Sequence, residues 1–158
     1  MLLSAVGVPR SLRFTQRLTK ASERYSEAVE LVDYANDRGE EIRAIVNSTG
    51  IREHATAVVI PPAWGKTKET LLPLAATIVE TFKKANEPVF VVRYDGIRKR
   101  GESYNERECR FPGREHHRFT FSQGVRDIQA TLDFLEKPGF RPARTILVMF
   151  SAAAIEGR

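Results

Sequence analysis

Thr145-Ile146-Leu147-Val148-Met149-Phe150-Ser151-Ala152-Ala153-Ala154 is the stretch on which the reading of the fold turns. The apolar run Thr145 to Met149 has the character of a strand buried on both faces, and the three alanines suit the start of a helix. A serine placed between the two sits on a sharp strand-to-helix elbow. Such a turn pushes the side-chain oxygen out of the sheet and crowds the backbone, so the residues two places away on either side need to be small. Ala153 meets that demand and Met149 does not. Taken in isolation, Phe-Ser-Ala is equally a serine capping the next helix, so the residues upstream have to decide.

Working back from Ser151, Lys137-Pro138-Gly139 ends a segment in which Val125, Ile128, Leu132 and Leu135 share one helical face, with Ser122 as its expected N-cap. Before it lies a polar, irregular stretch, 98 to 118. A second buried strand, Val89-Phe90-Val91-Val92, delivers Tyr94, Asp95 and Gly96 at its C-terminal end. Leu71 to Phe82 repeat at helical spacing and close near Asn86. Ala57-Val58-Val59-Ile60 is another buried strand, ended by Pro61-Pro62-Ala63-Trp64-Gly65. Further upstream, Asn36-Asp37-Arg38-Gly39 supplies turn chemistry between Ala28–Val32 and the alternating Ile42, Ala44 and Val46, which predicts a hairpin. Residues 1–23 carry Arg10, Arg13, Arg17 and Lys20 and read as a basic arm, leaving 24–158 as one domain.

A hairpin followed by repeated strand, helix, strand predicts an α/β domain with a mostly parallel sheet and helices on both faces. The loops at Pro61, Asp95 and Phe150 should then share the rim where ligands bind, at the strands' C-terminal ends. Trp64 in the first loop and Ala152 after the elbow are the expected backbone donors of an oxyanion hole. Asp95 reads as an anchor of its own loop rather than a catalytic acid.

Arg93-Tyr94-Asp95, Gly101-x-Ser103, Phe119-Thr120-x-Ser122-x-Gly124 and the apolar strand entering Ser151 together resemble the acyl-transferase or thioesterase family of bacterial bioluminescence. The resemblance covers roughly residues 25 to 154. It implies an α/β-hydrolase fold and release of a fatty acyl group from a carrier protein through a serine nucleophile. That family also replaces the elbow glycines with other small residues; Met149 and the longer interval 104–118 depart from it. Carried over residue by residue, the resemblance implies Ser151 as nucleophile and, with it, the Trp64 and Ala152 amides.

In this fold the acid and the histidine of the triad follow the serine. Residues 152–158 hold neither Asp nor His, and His54, His116 and His117 all precede Ser151. An unassisted hydroxyl is a poor nucleophile at neutral pH. The expectation is therefore the N-terminal half of a hydrolase domain, truncated after the elbow, inactive in isolation, with an exposed apolar sheet edge that a missing C-terminal half or a second chain would cover. Ile155-Glu156-Gly157-Arg158 also spells a tetrapeptide used as an engineered protease site.

Composition narrows the rivals. A net charge of +5 comes from 25 basic and 20 acidic residues that are interspersed, which describes a mixed solvated surface better than a nucleic-acid platform. The cluster from Arg93 to Arg118 is a candidate docking surface for an acidic partner, and a non-catalytic partner-binding module is the alternative function. No apolar run reaches the length of a membrane span, and the single Cys109 agrees with a reducing compartment; a cytoplasmic protein with no membrane partner is expected. Gly65-Lys66-Thr67 faintly suggests a P-loop nucleotide-binding protein, but the required earlier glycine is Ile60, inside the strand. Cys109, His116 and His117 lack the paired spacing of a zinc site, so neither metal nor cofactor is expected.

Overall fold

The computed structural model describes residues 28–157 apart from 110, 112, 115 and 116; the basic arm, His116 and Arg158 lie outside the described residues. Five strands form one mixed sheet: β1 (Ala28–Ala35), β2 (Glu41–Ser48), β3 (Thr56–Ile60), β4 (Val89–Tyr94) and β5 (Arg144–Leu147), in spatial order β1-β2-β4-β3-β5. β1 and β2 form the expected hairpin, and the Asn36 side-chain oxygen accepts the Arg38 and Glu40 amides to fix its turn. β2 runs antiparallel to β4, while β4, β3 and β5 are mutually parallel.

Alternation along β3 and β4 sends side chains to two cores. Val58, Ile60, Val89 and Val91 meet Leu71, Ala75 and Val79, the last two on helix α1 (Leu72–Lys84). Ala57, Val59, Phe90 and Val92 meet Ala130, Phe134 and Leu135 of helix α2 (Phe121–Leu135) on the opposite face. Every residue of β3 and β4 is buried, as the continuous apolar runs require. A short helix α3 (Ala152–Glu156) follows β5.

Two local expectations are corrected. The N-cap of α2 is Thr120, whose extended backbone lets its hydroxyl accept the Gln123 amide; Ser122 lies within the first turn. The strand entering Ser151 is not buried on both faces. β5 has β3 on one side as the last strand in the sheet order, and Arg144 to Ile146 are exposed, with Ile146 at 40%. An apolar run has the same pattern whether or not a further strand lies beside it, so periodicity cannot separate the two cases.

Candidate active site

From β3 the chain moves through α1 to β4 on one side, and from β4 through α2 to β5 on the other. The direction of winding reverses between β3 and β5. In an open sheet the crevice at such a reversal, beyond the strands' C-terminal ends, is where ligands bind. Two segments meet there: 61–65, leaving β3, and 148–152, leaving β5, with the Val148 amide still bonded to the Val59 carbonyl at 2.9 Å.

Ser151 lies in that second segment with φ 55° and ψ −131°. The left-handed side of the map is costly for a residue with a Cβ, by about 1–3 kcal/mol, and the abrupt turn from strand into α3 depends on it. Ser151 is exposed, and its hydroxyl makes no capping bond to α3. Ala152 opens the helix, so its amide belongs to the first turn, where no carbonyl four residues back can accept it. Met149 fits beside this turn because residue 157 is glycine: a Cβ there would come within 1.8 Å of the Met149 sulfur. The space required by a large residue two places before Ser151 is thus supplied six residues after it.

On the facing loop, Pro61, Pro62 and Ala63 are buried, and Trp64 is half exposed. Its indole meets Phe119 edge to face at 5.4 Å, and Phe119 meets Phe121 similarly at 5.9 Å. Gly65 has φ +69°, a left-handed conformation that glycine adopts without strain. Lys66 and Thr67 are separated from α1 by 68–71, whereas a phosphate loop places its lysine and threonine at the helix start.

Behind the rim lies a polar assembly that sequence reading registered only through Asp95 and Ser103. The Asp95 carboxylate accepts the Lys68 amide (2.7 Å), the Lys68 ammonium (2.7 Å) and the Glu102 amide (2.8 Å). Ser103 Oγ donates to the Asp95 carbonyl and accepts the Arg43 amide. Gly101 has φ +131°, and a Cβ on it would fall 2.1 Å from Asp95 Cγ. The spacing from Asp95 to Ser103 is therefore the signature of one tightly folded loop.

Lys68 is fully buried within reach of Glu69, Asp95 and Glu102. Burial alone would depress its pKa, but the three carboxylates outweigh burial and hold it above the ordinary lysine value. Arg93, next to last in β4, is also fully buried; it donates to Asn47 Oδ1 and the Lys68 carbonyl, and burial pushes it down to about 10. Lys99 is buried against Glu156 at 2.6 Å. Arg98 is held by Glu40 and Glu106 at 2.6 and 2.7 Å. Arg93, Arg98 and Lys99 are thus internal struts, and the stretch from Arg93 onward loses much of the surface charge its sequence suggests.

The two described histidines, His54 and His117, lie in separate loops. His54 precedes β3 and so stands at the opposite end of the sheet, with its amide on the Arg141 carbonyl. His117 is exposed in the loop before α2, while Cys109 is buried in a 3-10 turn, Arg107–Cys109. Among the described residues, the one cluster with metal-ligand spacing is Glu69, Asp95 and Glu102, and the Lys68 ammonium sits among them. No helix among the described residues is long and apolar enough to cross a membrane.

No family model and no curated protein matches this sequence. Solved structures do share its fold. A protein from Agrobacterium vitis S4 designated a hydrolase superposes with a TM-score of 0.59 at 16% identity, over 83% of this chain and 44% of its own. An esterase of Pyrococcus furiosus gives 0.56 at 13%, over 85% and 46%. The α/β hydrolase GrgF from Penicillium sp. sh18 gives 0.54 at 17%, over 76% and 36%. This chain spans less than half the length of these structures, and its sheet, with helices on both faces, is part of an α/β-hydrolase fold.

Proposed function

We propose that Ser151 is the nucleophile of an acyl hydrolase or acyltransferase acting on an ester or thioester. The observation that carries this reading is the conformation of Ser151, a strained, exposed serine on the turn from β5 into α3, at the reversal point of the sheet. Ser151 Oγ attacks the acyl carbonyl carbon while its proton passes to a base, and the carbonyl π pair moves onto oxygen. The amides of Trp64 and Ala152 receive that negative charge. Collapse of the adduct expels the alcohol or thiol, which takes the proton from the base, and water or another acceptor then releases the acyl group by the same steps. The step requires a base, which in this fold is an imidazole oriented by a carboxylate.

The family of bioluminescence acyl-transferases and thioesterases remains the finer proposal, with a carrier-linked acyl thioester as substrate. Its support is the Asp95, Gly101 and Ser103 spacing, which this chain uses to fold the loop behind the rim. The exposed β5 edge favours a second reading, a non-catalytic module that pairs with a partner through that edge. A fluorophosphonate probe separates them. The acyl-transfer reading expects covalent labelling of the complete gene product that disappears in Ser151→Ala; a folded, unlabelled gene product sinks it.

A further inference from the structure

The loop that carries Trp64 has an anchoring problem written into its sequence. Pro61 and Pro62 have no N–H, so at those two positions the backbone can be tied down only through its carbonyls. The donor comes from the next loop along the rim. Lys99, 3% exposed, directs its ammonium to the Pro62 carbonyl at 3.2 Å, to Glu156 Oε1 at 2.6 Å, and onto the face of Phe119 at 4.5 Å from the ring centroid. An ammonium has three N–H groups, and three partners surround this one. Glu156, 2% exposed, is the last residue of α3, the helix that Ser151 opens. Phe119 is the ring against which Trp64 packs.

We infer that Lys99 is a positioning residue of the site, setting the separation between the Trp64 loop and the turn at Ser151 and Ala152. This rests on the acyl-transfer reading of Ser151. A buried ion pair contributes little net stability compared with well-packed apolar side chains of the same volume, because desolvation offsets its attraction. What it supplies is directional contact, here shared by the Pro62 loop, Phe119 and the end of α3, beyond the Val148–Val59 bond where the β3–β5 ladder ends. An oxyanion hole needs that registration, because a displacement of about 1 Å between donor and reacting atom costs on the order of a hundredfold in rate.

The test replaces both charges at once, so that neither is left buried alone. Lys99→Met/Glu156→Leu is expected to unfold near the wild-type temperature. Trp64, the sole tryptophan of the chain, should then show larger local depolarisation in time-resolved anisotropy, and fluorophosphonate labelling of the complete gene product should slow by about 10- to 100-fold. Glu156→Gln, which keeps an oxygen for the ammonium, should label within about threefold of wild type, since the contact survives as a charge-assisted bond. A folded double variant with wild-type anisotropy and labelling overturns the role of Lys99 while leaving that of Ser151 intact. Loss of labelling in Glu156→Gln as large as in the double variant also overturns it, because the effect would then follow the carboxylate charge rather than the tether. Absence of labelling in the wild-type gene product overturns the reading of Ser151, and the positioning role with it.

Discussion

Gly124 of α2 lies directly against Glu156 of α3: a Cβ on the glycine would stand 2.3 Å from Glu156 Cδ and 2.4 Å from Oε2. A glycine in the first turns of a fifteen-residue helix forgoes about 1 kcal/mol of helix propensity relative to alanine. The close approach accounts for its presence. Glu156 is fully buried and held by Lys99, so it has no open space into which to retreat. Overpacking a site of this kind costs about 1–3 kcal/mol, which outweighs the propensity gain. Gly124→Ala is therefore expected to lower the thermal midpoint; a rise would mean that α3 shifts without penalty.

Asp127 is the titratable group of α2 most affected by its surroundings. Burial pushes its carboxyl up to about 7, against the Gln123 side chain and the Ile97 amide, which donate to it. The folded state thus holds its proton more tightly than the unfolded chain. The contribution to stability is fully present below the unfolded value near 4 and declines as pH rises towards 7, by roughly 4 kcal/mol at most. Asp127→Asn has no such proton to lose. The stability of wild type minus that of Asp127→Asn, followed by urea unfolding, should fall between about pH 4 and 7 and level off above. A flat difference across that range would show that Asp127 ionises without hindrance in the fold.

Lys68 allows a prediction about charge replacement. Removing it leaves Asp95 buried beside Glu69 and Glu102 with no ammonium among them, and breaking a buried pair in this way costs about 3–5 kcal/mol. The three carboxylates offer oxygens within 4.8 Å of one another, which suits ligands at about 2.3–2.6 Å from a common calcium ion. Lys68→Ala should therefore lose stability and regain part of it in millimolar calcium, with chelator reversing the gain. Wild type should not respond, and a variant equally indifferent to calcium would refute the geometry.

How much of this was legible depends on whether a residue's surroundings are local. Val58 to Ile60 and Val89 to Val92 could be read as buried strands because both of their faces are covered within the chain. The cap of α2 was misread by two residues because Ser122 and Thr120 are both able to cap, and the choice lies in the extended backbone at Thr120. The internal cations were missed for a different reason. Lys68 finds Asp95 across 27 residues and Lys99 finds Glu156 across 57, and no periodicity encodes such pairs. One signal did exist: Arg93 interrupts a strand buried at every position, and a guanidinium there has to be partnered inside. Met149 departs from the local elbow pattern, and the Gly157 that makes room for it lies eight residues on, outside that pattern.

The backbone at Ser151 permits a test of strain that does not depend on activity. With φ at 55°, the residue sits where a Cβ is disfavoured and glycine is not. Ser151→Ala and Ser151→Gly both remove the hydroxyl, so their difference isolates the Cβ in this conformation. At an ordinary position glycine would be the less stable of the two by about 0.5–1 kcal/mol, through the entropy of the unfolded chain. Here relief of about 1–3 kcal/mol of backbone strain should exceed that loss, leaving Ser151→Gly the more stable variant in urea unfolding. If Ser151→Ala proves the more stable, the turn into α3 relaxes out of the left-handed region, and the oxygen of Ser151 is not held where acyl transfer requires it.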